Sequence, residues 1–347
     1  MWIIIIFSTT LCLYLSKRLE TLRGLNSLLI ILLLNLVTEK AIARKLTPER
    51  QVEQAFAASL VLSDSNMITF GIADFNPNNY FESDNENIGS SDSVELRNQM
   101  TVYSLPYTFT LTDDPDSLWS HEITLRASYV NTDVDMEIKD KSLPDSDVDE
   151  VFGLYAEYAQ NYEFYENWTI SLGNAFHLMH YKNTHKYNSA FSQSLAPYFD
   201  GTFFNVSSNT FMIEPKITFQ YKKETDWGEW RFNNSYHYAY GQGFGGSADF
   251  SSDVNPEVWR FVNSLQLRYN MAHWNRFAQV LYLKAKRVDL GGDVNEPLGT
   301  DFYYEFNIAW LIDTRKWISL VDNVGIGFTF NVGSALRGGS IVLFYDE

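Results

Sequence analysis

Apolar and polar side chains alternate one by one in a succession of segments from about residue 67 to the end of the chain. In the segment 259–270 the two kinds of side chain form two sets, Trp259, Phe261, Leu265, Leu267 and Tyr269 against Arg260, Ser264, Gln266, Arg268 and Asn270. An α-helix would mix these sets, whereas a β-strand separates them because successive side chains point to opposite faces. The alternation therefore predicts a chain built mainly of strands.

About twelve such segments follow one another, at approximately 67–75, 96–111, 119–136, 148–162, 167–182, 209–222, 229–241, 257–271, 276–288, 299–312, 318–331 and 338–347. Their connections alternate between short ones, such as 163–166 and 224–228, and long ones, such as 183–208 and 242–256. Bacterial transmembrane barrels have an even number of strands, short periplasmic turns and long extracellular loops. The pattern predicts an all-β, antiparallel, up-and-down transmembrane barrel of about 12 strands with both termini in the periplasm.

One helix is predicted before the first strand, over residues 47–62. Thr47 is a suitable N-cap, Pro48 occupies the first turn and Glu49 is an early acid. A stripe of Val52, Phe56, Ser59 and Leu60 gives the helix one less polar face. Whether this helix lies on the periplasmic rim or inside the barrel is left open by the sequence, which offers no other clear helix after residue 43.

The composition narrows the class of protein. Aromatic residues make up 16% of the 347 residues, and girdles of Tyr and Trp at the membrane interfaces would account for this high share. The mean hydropathy of -0.21 excludes a bundle of membrane helices. The formal net charge of -17 argues against nucleic-acid binding, which needs clustered Lys and Arg. Many acids fall in connections such as 82–92 and 133–150, where solvation explains them better than cation binding does.

The N-terminal region predicts export. The apolar segment 25–37 follows Lys17, Arg18 and Arg23 and precedes Ala41-Ile42-Ala43, which is the order of a cleavable secretory signal. The apolar stretch before those basic residues suggests a translation start near Leu19 or Leu22; a hairpin anchor is the alternative. The predicted parts are a targeting segment, 1–43, a helix with its linker, 44–66, and the barrel, 67–347. Cleavage would remove Cys12, the only cysteine, and change the net charge from -17 to -19.

Charged residues on the polar faces of the strands are the candidate functional residues. With the large aromatics facing lipid, the set predicted to face the lumen is Glu122, Arg126, Glu157, Glu214, Lys216, Arg231, Arg260, Arg268, Lys284, Lys286 and Glu305. Because both signs are present, cross-strand ion pairs can hold the wall and a plug in register. We expect a structural lattice of ion pairs in preference to a selective polar pathway, because the lumens of small barrels are filled by side chains.

Catalytic chemistry is not predicted. His177 and His180 are three residues apart on one strand and so point to opposite faces, which argues against a shared metal. The glycine-rich run 241–246 has no helix after it, so a flexible loop explains it better than nucleotide binding does. We expect no enzyme activity, no cofactor and no metal. A barrel enzyme that hydrolyses lipid, lipopolysaccharide or peptide, and a specific channel for small solutes, are the alternatives.

The helix and the strands after it resemble the translocator domain of autotransporters, in the form of a solitary outer-membrane barrel without a passenger, over residues 44–347. The last strand is similar to the terminal signal that the barrel-assembly machinery reads: Gly338 and then alternate hydrophobic residues, Ile341, Leu343 and Tyr345. The chain departs from the common aromatic ending by continuing with Asp346-Glu347. The resemblance implies a Gram-negative outer-membrane protein. We expect a monomer in contact with lipid and lipopolysaccharide, with a structural or pore-like role.

Overall fold

A computed structural model describes most of the predicted helix and barrel. The described residues are 47–64, 68–81, 99–111, 117–136, 143–271, 278–314, 323–333 and 337–345. The predicted targeting segment, its start and cleavage sites, and the acidic connection 82–92 lie outside these residues.

The described strands form one antiparallel sheet of twelve. Each strand from β2 to β11 pairs with the strand that follows it in the sequence, and β12 pairs with β1. This pairing of first with last is the up-and-down order of a barrel. The two edges of the described sheet, β1 and β2, are not paired by a ladder of hydrogen bonds, but their Cα atoms approach within 8 Å, and we call this the seam. The strands are β1 Ile68–Phe75, β2 Met100–Thr110, β3 Trp119–Met136, β4 Asp145–Tyr165, β5 Trp168–Lys186, β6 Ser207–Thr225, β7 Gly228–Gly246, β8 Glu257–Asn270, β9 Gln279–Gly292, β10 Phe302–Asp313, β11 Asn323–Val332 and β12 Gly338–Tyr345.

The wall of the barrel is taller on one side. Strand β4 has 21 residues, whereas β1 and β12 have eight each. A tilted strand crosses a membrane with about 9–11 residues. The turns after β4 and β6 comprise only residues 166–167 and 226–227, and the opposite ends carry connections such as 187–206 and 247–256. We call these the short-turn end and the long-connection end of the barrel.

Helix α1 spans Pro48–Leu62, as predicted, with Thr47 as its N-cap: the Thr47 side chain accepts a hydrogen bond from the backbone N–H of Arg50. The described residues contain three further α-helices, α2 Asn78–Phe81, α3 Ala190–Phe199 and α4 Asn295–Leu298, and one short 3-10 helix, Ser251–Asp253. In the part of the chain that the structure describes, no helix has the length and apolar character to cross a membrane.

The expectation of a single clear helix was wrong, because α3 has ten residues. The helix begins with a capping box, in which Ser189 and Ser192 satisfy each other's backbone N–H groups. Pro197 and the aromatic residues around it obscure helical periodicity in the sequence. Burial of Ser192 and exposure of most of its neighbours show that α3 rests on the end of the barrel wall.

Burial alternates along the strands as the sequence pattern predicts. On β8, the side chain of Leu265 is 51% exposed, whereas its neighbour Gln266 is 7% exposed. The exposed face carries aromatic rings at the short-turn end, where Trp119 stacks on Tyr162 and Trp168 contacts Tyr221. The apolar face therefore lies outside the barrel, with an interfacial girdle at one end.

The glycine-rich run 241–246 is not a loop. It continues strand β7, so the prediction of a flexible loop was wrong. A Cβ atom at Gly243 would lie 2.1 Å from the carbonyl oxygen of Ser251, in the connection that follows β7. The glycines permit this connection to fold closely against the wall.

Candidate functional site: the barrel interior

Helix α1 lies inside the barrel. Its buried face contains Val52, Phe56 and Leu60, none more than 1% exposed. These side chains belong to one apolar cluster with inward-facing residues of β4–β9, among them Met179 and Met212. Since these strand positions alternate with exposed ones, the cluster fills the interior and the helix is part of it. The sequence left open whether α1 lies on the periplasmic rim or in the lumen, and the structure places it in the lumen.

The N-terminal half of α1 contacts the long-connection end. Arg50 forms an ion pair of 2.8 Å with Glu296 of α4, and Gln54 donates to the same carboxylate. Glu53 accepts a hydrogen bond of 2.8 Å from the backbone N–H of Asn255, in the connection between β7 and β8. The helix thus enters from this end of the barrel and its C-terminus points towards the middle.

Asp293, at the same mouth, has an unusual carboxyl group. Burial raises the pKa of Asp293 to about 6, and the carboxylates of Glu53 and Glu257 act in the same direction. A hydrogen bond from the backbone N–H of Glu257 and the charge of Arg50 oppose the shift. The carboxyl group therefore titrates near neutral pH beside the docked helix.

A layer of charged side chains crosses the interior below the helix, and Asp64 connects the helix to it. The two carboxylate oxygens of Asp64 form ion pairs with different strands, at 2.9 Å with Arg126 of β3 and at 2.8 Å with Arg260 of β8. Burial raises the pKa of Asp64, but Arg260 and Arg126 outweigh it and hold the pKa well below its usual range. Asp64 is thus a charged anchor between two walls of the barrel.

Glu214 is the second centre of this charged layer. It is 1% exposed and forms an ion pair with Arg260. Its other contacts are the imidazoles of His177 and His237, each at 2.7 Å. Beside it, Lys216 donates to Glu157 at 2.7 Å. The layer joins six consecutive strands, β3 to β8, so its ion pairs fix the spacing of half the wall as well as the position of the helix.

The remaining predicted lumen residues lie around this layer. Lys286 pairs with Glu305 at 2.9 Å, Arg268 donates to Asn323, and Arg231 pairs with Glu229 near the short-turn end. Lys284 and Glu122 are half-buried on β9 and β3. The structure thus brings together Arg126, Glu157, Glu214, Lys216 and Arg260, and places the other six elsewhere.

Sequence reasoning missed Asp64, His177 and His237 as members of the layer. Both histidines stand on the polar face of their strands, so the alternation itself contained the signal. Asp64 follows the helix and belongs to no alternating segment, and nothing in its local sequence indicates two arginine partners.

Two cavities lie on opposite sides of the charged layer. One, of about 280 Å³, is at the short-turn end and is lined by polar residues such as Glu163, Gln220 and Lys222. The other, of about 260 Å³, lies between α1 and strands β2–β4. The layer and the helix therefore separate the two open regions of the interior.

The buried serine, histidine and aspartates under α3 do not have the geometry of a nucleophile and its base. The imidazole of His185 lies 2.9 Å from Asp147 through Nδ1 and 3.5 Å from Asp145 through Nε2. The hydroxyl of Ser192 donates to Asp145, at 2.8 Å, and not to the imidazole. These contacts hold α3 on the wall.

Metal-ligating side chains are also separated. His177 is buried in the charged layer, and His180 lies on the exposed face, where it contacts Asn209. Within the described ranges, no group of three or more His, Cys, Asp and Glu residues has the arrangement of a metal site.

An apolar exterior, a charged interior and a helix within the lumen together define a membrane β-barrel of the outer-membrane type. The family model of the solitary outer membrane autotransporter beta-barrel domain matches residues 53–347. The chain belongs to this family, which places it in the outer membrane.

Other comparisons add less. No curated protein matches the chain. Among solved structures, LpxR from Salmonella typhimurium is similar with 7% sequence identity and a TM-score of 0.33, over 70% of this chain and 86% of that one.

Proposed function

We propose that this protein is a non-enzymatic outer-membrane barrel that is held closed by its own N-terminal helix, with a structural role in this closed state and a pore-like one when the helix leaves. The observation that carries the proposal is the double ion pair of Asp64, which anchors the end of α1 to β3 and to β8. A loosely held segment would not require two buried arginines.

The apolar cluster around α1 supports occlusion of the long-connection half. Phe56, which is fully buried, contacts Tyr181 of β5 edge to face, with ring centroids 6.2 Å apart. Burial of a Phe or Leu side chain stabilises by about 1.5–3 kcal/mol, so several such residues hold the helix firmly. Release of the helix would also withdraw Asp64 from between Arg126 and Arg260, so the charged layer would lose its link between β3 and β8 and the two cavities would join.

Conductance in planar bilayers tests the proposal. We expect the full-length protein to be silent and a variant that lacks residues 47–64, and therefore both the helix and Asp64, to conduct. The variant Asp64→Asn keeps the helix but weakens both ion pairs, and we expect it to show brief openings. Asp226→Asn, in an exposed turn, is the matched control. A conducting wild type would contradict occlusion, and silence of a correctly folded deletion variant would contradict the pore-like role.

For orientation, we propose that the short-turn end faces the periplasm and the long-connection end faces the exterior of the cell. The C-terminal strand ends at the short-turn side, where Tyr345 pairs with Ile68 and Val324. Thr47 lies at the opposite mouth. This orientation keeps the predicted periplasmic C-terminus, but it departs from the prediction that both termini lie in the periplasm, because it places the start of α1 at the outer mouth.

The proposal includes lipid and lipopolysaccharide as the surroundings of the exposed apolar face, the barrel-assembly machinery as the partner during biogenesis, and a monomeric state. It assigns no catalysis. The absence of catalysis is tested by hydrolytic assays with lipid, lipopolysaccharide and peptide substrates, compared with a protein-free micelle control. Reproducible turnover of any of these substrates would contradict a non-enzymatic role.

A further inference from the structure

The cavity between α1 and strands β2–β4 is lined by one carboxylate, that of Asp149, among uncharged side chains. The helix contributes Gln54 and Ala58 to the lining, and the wall contributes Val130 and Asp149. Met100 of β2 also lines the cavity, so the cavity reaches towards the seam between β1 and β2. The opposite face of the helix is the one that packs in the apolar cluster.

Asp149 is bonded on one side only. Its Oδ1 atom accepts two hydrogen bonds, of 2.7 Å from the hydroxyl of Tyr181 and of 2.9 Å from the amide of Asn183. Among the described residues, no donor is bonded to the second oxygen, Oδ2. Since a carboxylate can accept about four hydrogen bonds, this oxygen retains its full capacity.

In the part of the chain that the structure describes, no Lys or Arg forms an ion pair with Asp149. The charged group that acts on it is another carboxylate, Asp147, which shares the amide of Asn183. By contrast, Asp64 and Glu214 in the charged layer each have arginine partners. A carboxylate in a largely apolar lining, with no ion-pair partner among the described residues, favours a cationic ligand over a neutral or an anionic one.

The size and lining of the cavity restrict the cation. An apolar cavity of about 150 Å³ holds benzene, so about 260 Å³ suits a ligand of about ten non-hydrogen atoms. Ala55, Ala58, Val130 and Val151 offer apolar contact to its body. A hydrated inorganic ion would leave these side chains without a suitable partner.

We propose that this cavity binds a small organic ammonium compound with an apolar body, with the ammonium group donating to Oδ2 of Asp149. Acidic residues at the same mouth, Glu53, Asp293 and Glu296 among them, favour the entry of cations. The site does not require movement of α1, and so it stands independently of the conductance proposed above.

Equilibrium dialysis of the purified full-length protein in detergent micelles tests the site. The probes are 2-phenylethylammonium, the neutral analogue 2-phenylethanol and the anion phenylacetate, each corrected for partition into protein-free micelles. We expect saturable binding of the ammonium probe at one site per chain and no saturable binding of the other two. Equal binding of all three would overturn the proposal, since it would show an unspecific apolar cavity.

Two variants and one control locate the binding. Asp149→Asn keeps an acceptor for Tyr181 and removes the charge, and we expect the Kd for the ammonium probe to rise about 10- to 100-fold. Ala58→Leu fills the cavity from the helix side and should abolish binding with Asp149 intact. Asp133→Asn changes an exposed acid on neighbouring β3 and should leave the Kd unchanged. Unchanged binding in both cavity variants would overturn the assignment, and if Asp149→Asn does not fold, Ala58→Leu decides alone.

Discussion

At the scale of single residues, Arg260 has the greatest effect on stability that we predict. It is 2% exposed and pairs with both Asp64 and Glu214. In Arg260→Met, two buried carboxylates lose a counter-charge, and removal of one partner from a buried ion pair costs about 3–5 kcal/mol. We expect the free energy of unfolding, measured by guanidinium titration in lipid vesicles, to fall by about this amount.

The matched control for this change is Arg231→Met. Arg231 pairs with Glu229 near the short-turn end, where its side chain is 33% exposed, and such exposed pairs contribute about 0–1 kcal/mol. Adding Glu214→Gln to Arg260→Met should recover part of the loss, because one unpaired charge is then removed. Equal losses at Arg260 and Arg231 would show that the charged layer does not anchor the fold.

Asp293 gives a pH dependence of defined sign. Its pKa of about 6 in the folded chain exceeds the ordinary value of 3.8, so between these values the folded state binds more protons than the unfolded state. The contribution of this group to stability is therefore complete below pH 3.8 and is lost as the pH rises through about 6.

The variant Asp293→Asn isolates this contribution. Its amide oxygen can still accept from the backbone N–H of Glu257, as the carboxylate does at 2.9 Å. We expect the variant to be more stable than the wild type at pH 8 and to lose this advantage at pH 4, as measured by chemical unfolding at both values. A difference between variant and wild type that stays constant with pH would contradict the raised pKa.

At the scale of the strand, β8 tests which face meets lipid. Leu265 is exposed on the face that carries the aromatic rings, so Leu265→Arg should reduce the free energy of unfolding in vesicles by about 2–4 kcal/mol if it lies near the midplane. Leu265→Ala, which shortens the side chain without adding charge, is the control and should cost less. Normal assembly and stability of Leu265→Arg would place this face against water.

The bounds of the strands were predictable to within a few residues, because along every strand the side chains alternate between an apolar set that faces lipid and a polar set that faces the interior. Strand β3 matches its predicted range of 119–136, and helix α1 begins at its predicted cap. Helix α3 was not predicted. Its ten residues lie on the end of the barrel wall and are mostly exposed, so they do not show the apolar stripe of a helix that is packed on one face. The residues of the charged layer were predictable as inward-facing. Which of them contact one another depends on the register between neighbouring strands, and the spacing of residues along a single strand does not show that register.

The sequence of β12, in which we predict an assembly signal, also follows the alternation. Leu343 is 40% exposed on the lipid face, and Phe344 and Val342 point inward. The inward pair belongs to a second apolar cluster with Tyr282 and Leu311. β12 therefore has two apolar faces, one towards lipid and one towards the interior. This is why all four residues from Ile341 to Phe344 are apolar.

At the scale of the whole molecule, the distribution of connections gives the barrel a direction that can be measured. A single cysteine can be introduced without background, since Cys12 precedes the predicted cleavage site. Ser194→Cys is exposed on α3 at the long-connection end, and Asp226→Cys is exposed in the turn between β6 and β7. In intact cells treated with a membrane-impermeant maleimide, we expect Ser194→Cys to be labelled and Asp226→Cys to be labelled only after lysis, with the wild type as the unlabelled control.

The outcome decides where helix α1 enters the barrel. Arg50 and Glu53 dock on the connections of the long-connection end, so labelling of Ser194→Cys would place the start of α1 at the outer mouth. The cavity beside Asp149 would then be reached from outside the cell, and the charged layer would stand between it and the periplasm. The reverse labelling pattern would invert both assignments, and an ammonium compound would then have to approach the cavity from the periplasm.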